Sequence, residues 1–275
     1  MTAIDLSIIV VSHEHAAFLR TCLSSLPAAV GDLTYEVIVV DNRSADGSAE
    51  VARQTCPDAT VLVNDRRRGF SANCNIGLAR SSGGYVLLLN PDTEASPGSI
   101  ATMARYLDEH PDVGVVGPQL RFPDGSVQPS CRRFPTLGSA IARRSPLRRA
   151  LGQSSLNARH LMLDVDHGET RDVDWMLGAC LMTRREALDD VGTLDERFYL
   201  YVEDIDWCLR MHQHGWRVIY LPAAQIIHHH LAVTDHRWLT WRTAVHAWGM
   251  VRYLAKHGVR APAAGASAQA PSPSS

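Results

Sequence analysis

Five short apolar runs, rich in valine, isoleucine and leucine, alternate with stretches of helical periodicity through the first 118 residues. Short strands that alternate with helices predict a parallel sheet covered by helices on both faces. We expect Pro27 to end the first helix and Ser96 to cap the fourth. The predicted strands are 6–12, 35–41, 60–64, 85–90 and 113–118, and the predicted helices are 15–26, 49–56, 71–80 and 96–109.

The second half of the chain has a less regular pattern. Residues 120–128 read as a hairpin around Pro123-Asp124-Gly125. A strand-like segment and a helix that ends at Gly215 come next, then two short strands and an amphipathic helix. These segments are 172–183, 203–214, 218–221, 225–228 and 238–257.

Composition excludes several classes of protein. Hydrophobic residues make up 45% of the 275 residues, so the chain can bury a core without disulfides or a structural metal. The formal net charge is -2, and without a basic excess we expect no nucleic-acid partner. No two of the six cysteines have CxxC spacing, which predicts neither a disulfide framework nor a cysteine zinc site and favours a reducing compartment.

The sequence shows neither a signal peptide nor a spanning segment. The apolar run at the start is short and lacks a basic region before it. No stretch approaches the roughly 18 apolar residues of a spanning helix. We therefore expect a cytoplasmic protein, at most peripheral to the inner face of the cell membrane.

Polar side chains follow each of the first four predicted strands. Because the carboxyl ends of parallel strands meet at one edge, where ligands of such sheets bind, these side chains are candidates for one site. The GxGxxG and GxxxxGK[ST] phosphate-binding loops are absent. A carboxylate-rich site needs a divalent cation to hold a phosphorylated ligand. The residues are Ser12, His13, Glu14, Asp41, Asn42, Asn64, Asp65, Asn90 and Asp92.

Seven motifs, in order along the chain, resemble those of family 2 glycosyltransferases of the rhamnosyltransferase-like kind. They are SIIVVSHEH (7–15), VIVVDNRSADGS (37–48), GFSANCNIGL (69–78), LLLNPDT (87–93), WMLGACLMTRREAL (175–188), DERFYLYVEDIDWCLRMHQHGW (195–216) and IYLPAAQIIHHH (219–230). The resemblance implies a GT-A fold, Rossmann-like, with a mixed, mostly parallel central sheet. It implies one domain over 1–260, with a nucleotide-binding half (1–118) and an acceptor half (119–260).

The resemblance also implies where the donor binds. Asp41 would contact the nucleobase, and Asp92 would bind the metal-diphosphate group. His228 would complete the shell of a Mg²⁺ or Mn²⁺ ion. The nucleotide-binding set it implies is Ser12, Glu14, Asp41, Asn42, Gly69, Asn75, Asn90 and Asp92.

In the acceptor half, the resemblance makes Asp204 the catalytic base, beside Glu203. An inverting transfer needs such a base for the acceptor hydroxyl and a counter-charge for the departing diphosphate. Burial near aromatic residues would offset the helix dipole, which lowers the pKa of Asp204. The donor-sugar and acceptor pocket would be lined by Trp175, Gly178, Ala179 and Trp207.

Two departures from the family pattern refine this expectation. Asn90 stands where the family has the first acid of its DxD motif, which removes one charge from the metal site. A QxxRW motif is absent, which favours addition of one sugar over processive synthesis. The expected donor is a dTDP- or UDP-linked sugar, with dTDP-L-rhamnose first. The expected acceptor is a cell-envelope glycan or a polyprenyl-diphosphate-linked glycan.

The Arg-rich segment 125–163 and the tail raise separate expectations. The segment contains seven arginines and no acid, which indicates an amphipathic flap that binds an acceptor diphosphate or a membrane surface, or a solvated loop. The uncharged residues 261–275 predict a disordered tail.

Other functions and simpler roles stay open at this point. A sugar-1-phosphate nucleotidyltransferase and a non-catalytic nucleotide-sugar-binding module are the two rival functions. Asp41 and Asp92 also suit turns or helix caps, and Glu203-Asp204 could merely charge a helix start. The run 228–230 also suits a zinc site, and three tryptophans of 238–257 suit either core packing or a membrane interface.

Overall fold

The structure is a computed structural model that describes residues 4–134, 158, 160–229 and 240–258. Its strands are β1 (Leu6–Ser12), β2 (Tyr35–Asp41), β3 (Thr60–Val63), β4 (Tyr85–Leu89), β5 (Thr93–Ala95), β6 (Val113–Arg121), β7 (Val127–Gln128), β8 (Cys131–Arg132), β9 (Arg171–Asp172), β10 (Trp175–Met176), β11 (Cys180–Arg184) and β12 (Arg217–His228). Within these residues the helices are α1 (Ala16–Val30), α2 (Ser48–Thr55), α3 (Phe70–Leu78), α4 (Ser99–Glu109), α5 (Arg185–Val191), α6 (Glu203–Gln213) and α7 (Trp241–His257).

Ten strands form one sheet, in the order β3-β2-β1-β4-β11-β6-β12-β5, with β7 beside β6 and β9 beside β12. The first four strands in this order run parallel to their neighbours, and so do β6 and β12. β11 runs antiparallel between β4 and β6. β8 and β10 pair separately. The expected mixed, mostly parallel sheet is confirmed.

The sheet has a hydrophobic core on each face. Ile8 and Val10 of β1 belong to the cluster that includes α1 and α4, while Ile9 and Val11 belong to the cluster that includes α3, α6 and α7. Successive side chains of a strand point to opposite faces, so a strand buried on both sides needs an unbroken apolar run. This is why the first half could be predicted from short apolar runs.

The first helix does not end at Pro27, as the sequence predicted. α1 continues to Val30, and Pro27 lies inside its last turn. A proline removes one helical hydrogen bond. Ala29 and Val30 of the same turn are almost fully buried, and their burial offsets that loss.

Ser96 is not the cap of the fourth helix. Residues 93–95 form the short strand β5 against β12, and the Ser96 N–H donates to the Gln225 carbonyl. The helix starts three residues later, after Gly98, which has a φ of 71°. Because β5 pairs with a strand far along the chain, the local pattern of 93–96 does not indicate it.

The second half also differs from its prediction in three places. The two predicted strands 218–221 and 225–228 are one strand, β12, with a register shift between Leu221 and Gln225. The segment 172–183 is divided among β9, β10 and β11. The short helix α5 was not predicted. The predicted hairpin is confirmed by the pairing of β6 with β7.

Several expectations concern residues outside the described part of the chain. Most of the Arg-rich segment, Trp238, His230 and the tail 261–275 belong to this group. All six cysteines are described, and each is a free thiol. None of the helices in the described ranges is long and apolar enough to span a bilayer.

Candidate active site

Ser12 and Asp41 end the neighbouring strands β1 and β2 and are register partners. Both are almost fully buried. Asp41 Oδ2 accepts a hydrogen bond from the Ser44 N–H at 3.0 Å, but Asp41 Oδ1 and Ser12 Oγ have no hydrogen-bond partner. Buried polar atoms are normally paired, because an unpaired one costs about 1–3 kcal/mol. These two buried oxygens without partners indicate that a ligand binds here and donates a hydrogen bond to them.

Glu14 joins the loops that follow β1 and β2. Its backbone has a positive φ of 57°, and its N–H donates to Ser44 Oγ at 3.1 Å. Glu14 Oε1 accepts from the Ala45 N–H at 2.9 Å and lies 3.9 Å from a guanidinium nitrogen of Arg67. These contacts fix the rim of the Ser12–Asp41 site before any ligand binds.

Asn42 holds the loop that follows β3. Asn42 Nδ2 donates to the Arg68 carbonyl at 3.0 Å, and Asn42 Oδ1 accepts from the Arg68 N–H at 2.8 Å. Asn64 and Asn73 extend the network to Gly69. The side-chain amide of Asn42 is thus engaged with protein groups, so the structure gives it a positioning role.

Gly69 and Asn75 attach this loop and α3 to the segment before α6. A Cβ on Gly69 would lie 2.8 Å from the Tyr199 carbonyl, so only glycine allows this approach. Asn75 Nδ2 donates to the Leu194 carbonyl and to Glu196, and Asn75 Oδ1 accepts from the Leu194 N–H. The structure therefore does not bring the Asn75 side chain to the rim, although it was predicted to bind nucleotide.

Asp92 directly precedes β5 and faces His228, the last residue of the neighbouring strand β12. Asp92 Oδ1 lies 3.5 Å from His228 Nε2, and both side chains are largely buried. His228 Nδ1 lies 2.9 Å from Gln128 Oε1. Burial raises the pKa of the Asp92 carboxyl, but the contact with His228 outweighs it, so the pKa lies below its usual value.

This pair fits a divalent cation. Asp92 offers carboxylate oxygens, and His228 offers Nε2 on the side that faces Asp92, while Gln128 Oε1 engages the other ring nitrogen. No group of three or more His, Cys, Asp or Glu suited to a metal occurs in the described ranges. Mg²⁺ commonly takes one or two protein ligands and completes its shell with phosphate and water oxygens. Two protein ligands therefore suit an ion that arrives with a diphosphate.

Asn90 connects the metal side of the site to the acceptor side. Its N–H donates to the Ala179 carbonyl at 2.8 Å, and its own carbonyl accepts from Thr93 Oγ1 at 2.7 Å. The Gly178 N–H donates to Asp204 Oδ2 at 3.2 Å. The adjacent residues 178 and 179 thus contact both the Asn90 segment and Asp204.

Glu203 and Asp204 are adjacent carboxyls at the start of α6, where Glu203 is buried and Asp204 is partly buried. Burial raises the pKa of Asp204 to about 6, against hydrogen bonds from the Ile205 and Gly178 N–H groups that favour the carboxylate. Burial and the neighbouring Asp204 charge raise the pKa of Glu203 well above its usual value. Glu203 Oε2 has no hydrogen-bond partner. Burial outweighs the helix dipole here, so Asp204 has a pKa suited to a general base near neutral pH.

The backbone immediately before this pair is strained. Tyr201 and Val202 have φ values of 66° and 75°, a region that non-glycine residues and above all β-branched residues avoid. Such strain persists only where the surroundings enforce it, and it concentrates at functional sites. It supports a functional role for the start of α6.

Of the four predicted pocket residues, two lie between the two sides of the site and two are buried tryptophans. Gly178 and Ala179 lie between Asn90 and Asp204, as described above. Trp175 is buried, and its indole N–H donates to the Arg133 carbonyl at 3.0 Å. Trp207 is not part of the site: it is 1% exposed, and its indole N–H donates to the Gly192 carbonyl. Trp207 lies one turn into α6, on the face turned toward the core.

Three further residues lie near the site, of which Arg132 was predicted only as part of the Arg-rich segment. His15 precedes α1, and its charge acts on Asp92. Gln128 contacts His228, and the charge of Arg132 acts on Asp204. His15 could have been found, since it follows the end of β1. Gln128 belongs to the hairpin strand β7 and Arg132 to β8, and no local pattern ties either strand to the site.

Comparison with known proteins agrees with this geometry. Residues 7–192 match the family model described as glycosyl transferase family 2. An N-acetylglucosaminyl-diphospho-decaprenol L-rhamnosyltransferase of Mycobacterium tuberculosis is 32% identical over 82% of this chain and 76% of its own. The rhamnosyltransferase WbbL of Escherichia coli K12 is 29% identical over 90% of this chain and 92% of its own.

Solved structures show the same fold. The mannosyltransferase PcManGT of Pyrobaculum calidifontis, in complex with GDP-Man and Mn²⁺, superposes with a TM-score of 0.61 at 21% identity over 96% of this chain. GalNAc-T7 with UDP, GalNAc and Mn²⁺ gives 0.62 at 15% identity over 82% of this chain. The chain spans 66% and 43% of the lengths of these two proteins. The family match decides against the nucleotidyltransferase and the non-catalytic module, and the chain belongs to glycosyltransferase family 2, with the GT-A fold.

Proposed function

We propose that this glycosyltransferase transfers a single sugar with inversion, from a nucleoside diphosphate donor to a lipid-linked glycan, in a metal-dependent reaction. The observation that carries the proposal is the contact of residues 178–179 with both sides of the site. Ala179 accepts a hydrogen bond from Asn90, two residues before Asp92, and the neighbouring Gly178 donates one to the Asp204 carboxyl. An inverting displacement needs one charge site for the leaving group and one base for the acceptor.

Each side of the site has a distinct task in this proposal. The Ser12–Asp41 pair binds the nucleobase, since a pyrimidine such as thymine or uracil presents an N–H to the vacant Asp41 Oδ1. Asp92 and His228 would hold Mg²⁺ or Mn²⁺, which supplies positive charge to the leaving diphosphate. Gly178 and Ala179 place the donor sugar between the two sides.

Asp204 takes the proton of the acceptor hydroxyl. As that oxygen forms its bond to the anomeric carbon, the bond from this carbon to the diphosphate oxygen breaks, and its electron pair leaves with the nucleoside diphosphate. With a pKa of about 6, Asp204 is mostly ionised at neutral pH. The Gly178 N–H holds Asp204 Oδ2 in place for this step.

The donor and acceptor follow from the relatives. Two relatives are named as rhamnosyltransferases, and one of them as acting on a diphospho-decaprenol acceptor. We therefore propose dTDP-L-rhamnose as donor and a polyprenyl-diphosphate-linked glycan of the cell envelope as acceptor. A cytoplasmic enzyme peripheral to the inner face of the membrane would have access to both.

Calorimetric titration with dTDP, UDP and GDP, each with Mn²⁺ and with EDTA, tests the donor site. We expect dTDP to bind tightly in the presence of metal only. Incubation with dTDP-L-rhamnose and a polyprenyl-diphosphate acceptor, with the product anomer assigned by NMR, tests the reaction. A product that retains the donor configuration, or equal binding with EDTA, contradicts the proposal.

A further inference from the structure

The helix α7 has an apolar outer face next to the segment that leads into the active site. Six large apolar side chains are strongly exposed in the described part of the chain, and four of them lie on or beside this helix. Trp241 and Trp248 are each 58% exposed, Val251 is 52% exposed, and Tyr199 is 44% exposed. We call these four residues the α7 patch.

The α7 patch is continuous and has a cationic border. The rings of Tyr199 and Trp241 meet edge to face, with centroids 6.3 Å apart. The guanidinium of Arg242 lies 5.9 Å from the ring centroid of Trp241, and that of Arg252 lies 5.5 Å from the ring centroid of Trp248. Within the described ranges, neither arginine has an acidic side chain at ion-pair distance. α7 itself contains no Asp or Glu.

The opposite face of α7 is fixed to the catalytic helix. Lys256 and His257 each lie 2.7 Å from Asp206 Oδ1, and Asp206 is fully buried in α6. Gly249 packs against Val202, where an added Cβ would lie 3.1 Å from Val202 Cγ2. The α7 patch is therefore held rigidly relative to Glu203-Asp204.

We propose that the α7 patch docks on an anionic lipid bilayer, with Trp241 and Trp248 in the interface and Arg242 and Arg252 on the lipid headgroups. Tryptophan is enriched at membrane interfaces, and amphipathic helices with cationic borders lie in the plane of anionic membranes. A second copy of the chain is a poorer occupant, because a symmetric contact would bring the unpaired arginines of both copies together.

Docking in this orientation would bring the acceptor side of the site close to the bilayer. The Tyr199 carbonyl accepts from the Phe70 N–H at the start of α3, and Tyr201-Val202 lead directly into Glu203. An open cavity of about 290 Å³ lies between α7 and residues Arg197 and Tyr199. The inference rests on the proposed function only in linking the bilayer to a lipid-linked acceptor.

Vesicle co-sedimentation tests the docking without donor or acceptor. The full chain is mixed with vesicles of phosphatidylglycerol and phosphatidylcholine, or of phosphatidylcholine alone, at low and high salt. We expect binding to the anionic vesicles that weakens with salt. The double variants Trp241→Ser/Trp248→Ser and Arg242→Gln/Arg252→Gln should each bind at least tenfold more weakly. The matched control Val63→Ser/Leu163→Ser removes two equally exposed apolar side chains elsewhere and should bind like wild type.

Three outcomes overturn the proposal. They are a wild type that binds neither vesicle, patch variants that bind like wild type, and a wild-type dimer in analytical ultracentrifugation that the tryptophan variant abolishes. Transfer to a water-soluble acceptor analogue separates this proposal from the proposed function. We expect the patch variants to retain that transfer, and vesicle binding without transfer by any form would sink the proposed function alone.

Discussion

The two sides of the active site are built in opposite ways. The donor side, around Ser12, Asp41 and Asp92, consists of side chains at strand ends whose loops are tied together by hydrogen bonds. The acceptor side is a pair of carboxyls, the buried Glu203 and the partly buried Asp204, at a helix start that follows a strained backbone. Contact with His228 lowers the pKa of Asp92, whereas burial raises the pKa of Asp204 to about 6.

The difference follows from what each side must do. A carboxyl that binds a metal must stay ionised, so a low pKa suits Asp92. A general base must pick up a proton during the reaction, so a pKa near the working pH suits Asp204. The same side-chain chemistry therefore serves two roles because the surroundings move the two pKa values in opposite directions. Substitutions on the acceptor side should therefore lower the transfer rate, whereas substitutions on the donor side should weaken nucleotide binding.

The largest effect is expected for Asp204→Asn. It removes the base and preserves the size of the side chain, so kcat should fall roughly 10²–10⁴-fold. Nucleotide affinity should be unchanged, because the donor side is intact. Steady-state transfer rates and calorimetry give the two readouts. Asp189→Asn, which changes an exposed acid of α5, is the control and should match wild type. Near-normal transfer by Asp204→Asn would show that another group is the base.

Asp92→Ala should, in contrast, act first on nucleotide binding. Loss of this ligand should weaken metal-dependent nucleotide binding by roughly 10–100-fold, since one of two protein ligands is gone. Gln128→Leu leaves both ligands in place but removes the side-chain partner that orients the His228 ring, so it should give a smaller loss in the same direction. Both are measured by calorimetry over a range of Mn²⁺ concentrations. Unchanged metal dependence in Asp92→Ala would remove Asp92 from the metal site.

The two sides also differ in how far the sequence could predict them. Ser12 and Asp41 directly follow apolar runs and Asp92 comes shortly after one, and residues at the ends of parallel strands must meet at one edge. The local pattern was therefore enough to locate them. It could not show that Asn42 and Asn75 hold loops, because their partners Arg68 and Leu194 are set by tertiary packing.

On the acceptor side, the sequence indicated the helix but not its environment. The motif resemblance named Glu203 and Asp204, yet their burial depends on α7 and on the 178–179 segment, which are distant in the chain. Trp207 was predicted to line the pocket, but its place in the motif does not show which way its side chain points. Its position in the motif is next to the pair, but helical geometry turns it to the core, where it contacts Gly192.

Asp41→Asn probes the vacant oxygen of the donor side. A charge-assisted hydrogen bond contributes about 1.5–3 kcal/mol, so its loss should weaken dTDP binding by roughly 10–100-fold. In the free protein Asp41 Oδ1 is buried without a hydrogen-bond partner, so replacing the carboxyl with an amide should not lower the Tm. Calorimetry and thermal unfolding measure the two effects. A variant that binds dTDP like wild type would refute the role of Asp41 in base recognition.

Glu203→Gln should give the smallest effect, which is a pH-dependent change in the stability of the folded protein. Burial raises the pKa of Glu203 in the folded state above the unfolded value of 4.5, so the folded state binds the proton more tightly. Wild type therefore loses stability as pH rises above 4.5, and this loss continues up to the folded-state pKa. At pH 7 this loss of stability is at most about 3.4 kcal/mol, because holding a proton 2.5 pH units above the unfolded-state pKa of 4.5 costs about 1.4 kcal/mol per unit.

Glutamine at position 203 is neutral in both states and avoids this loss. The Tm of Glu203→Gln should exceed that of wild type at pH 7 by several degrees, at roughly 2–4 °C per kcal/mol, and the difference should shrink toward zero near pH 4.5. Thermal unfolding across that pH range measures it. Glu109→Gln, an exposed glutamate at the end of α4, should show no pH-dependent difference from wild type. A Tm gain that is constant with pH would mean that packing, rather than the buried carboxyl, sets the stability of the acceptor side.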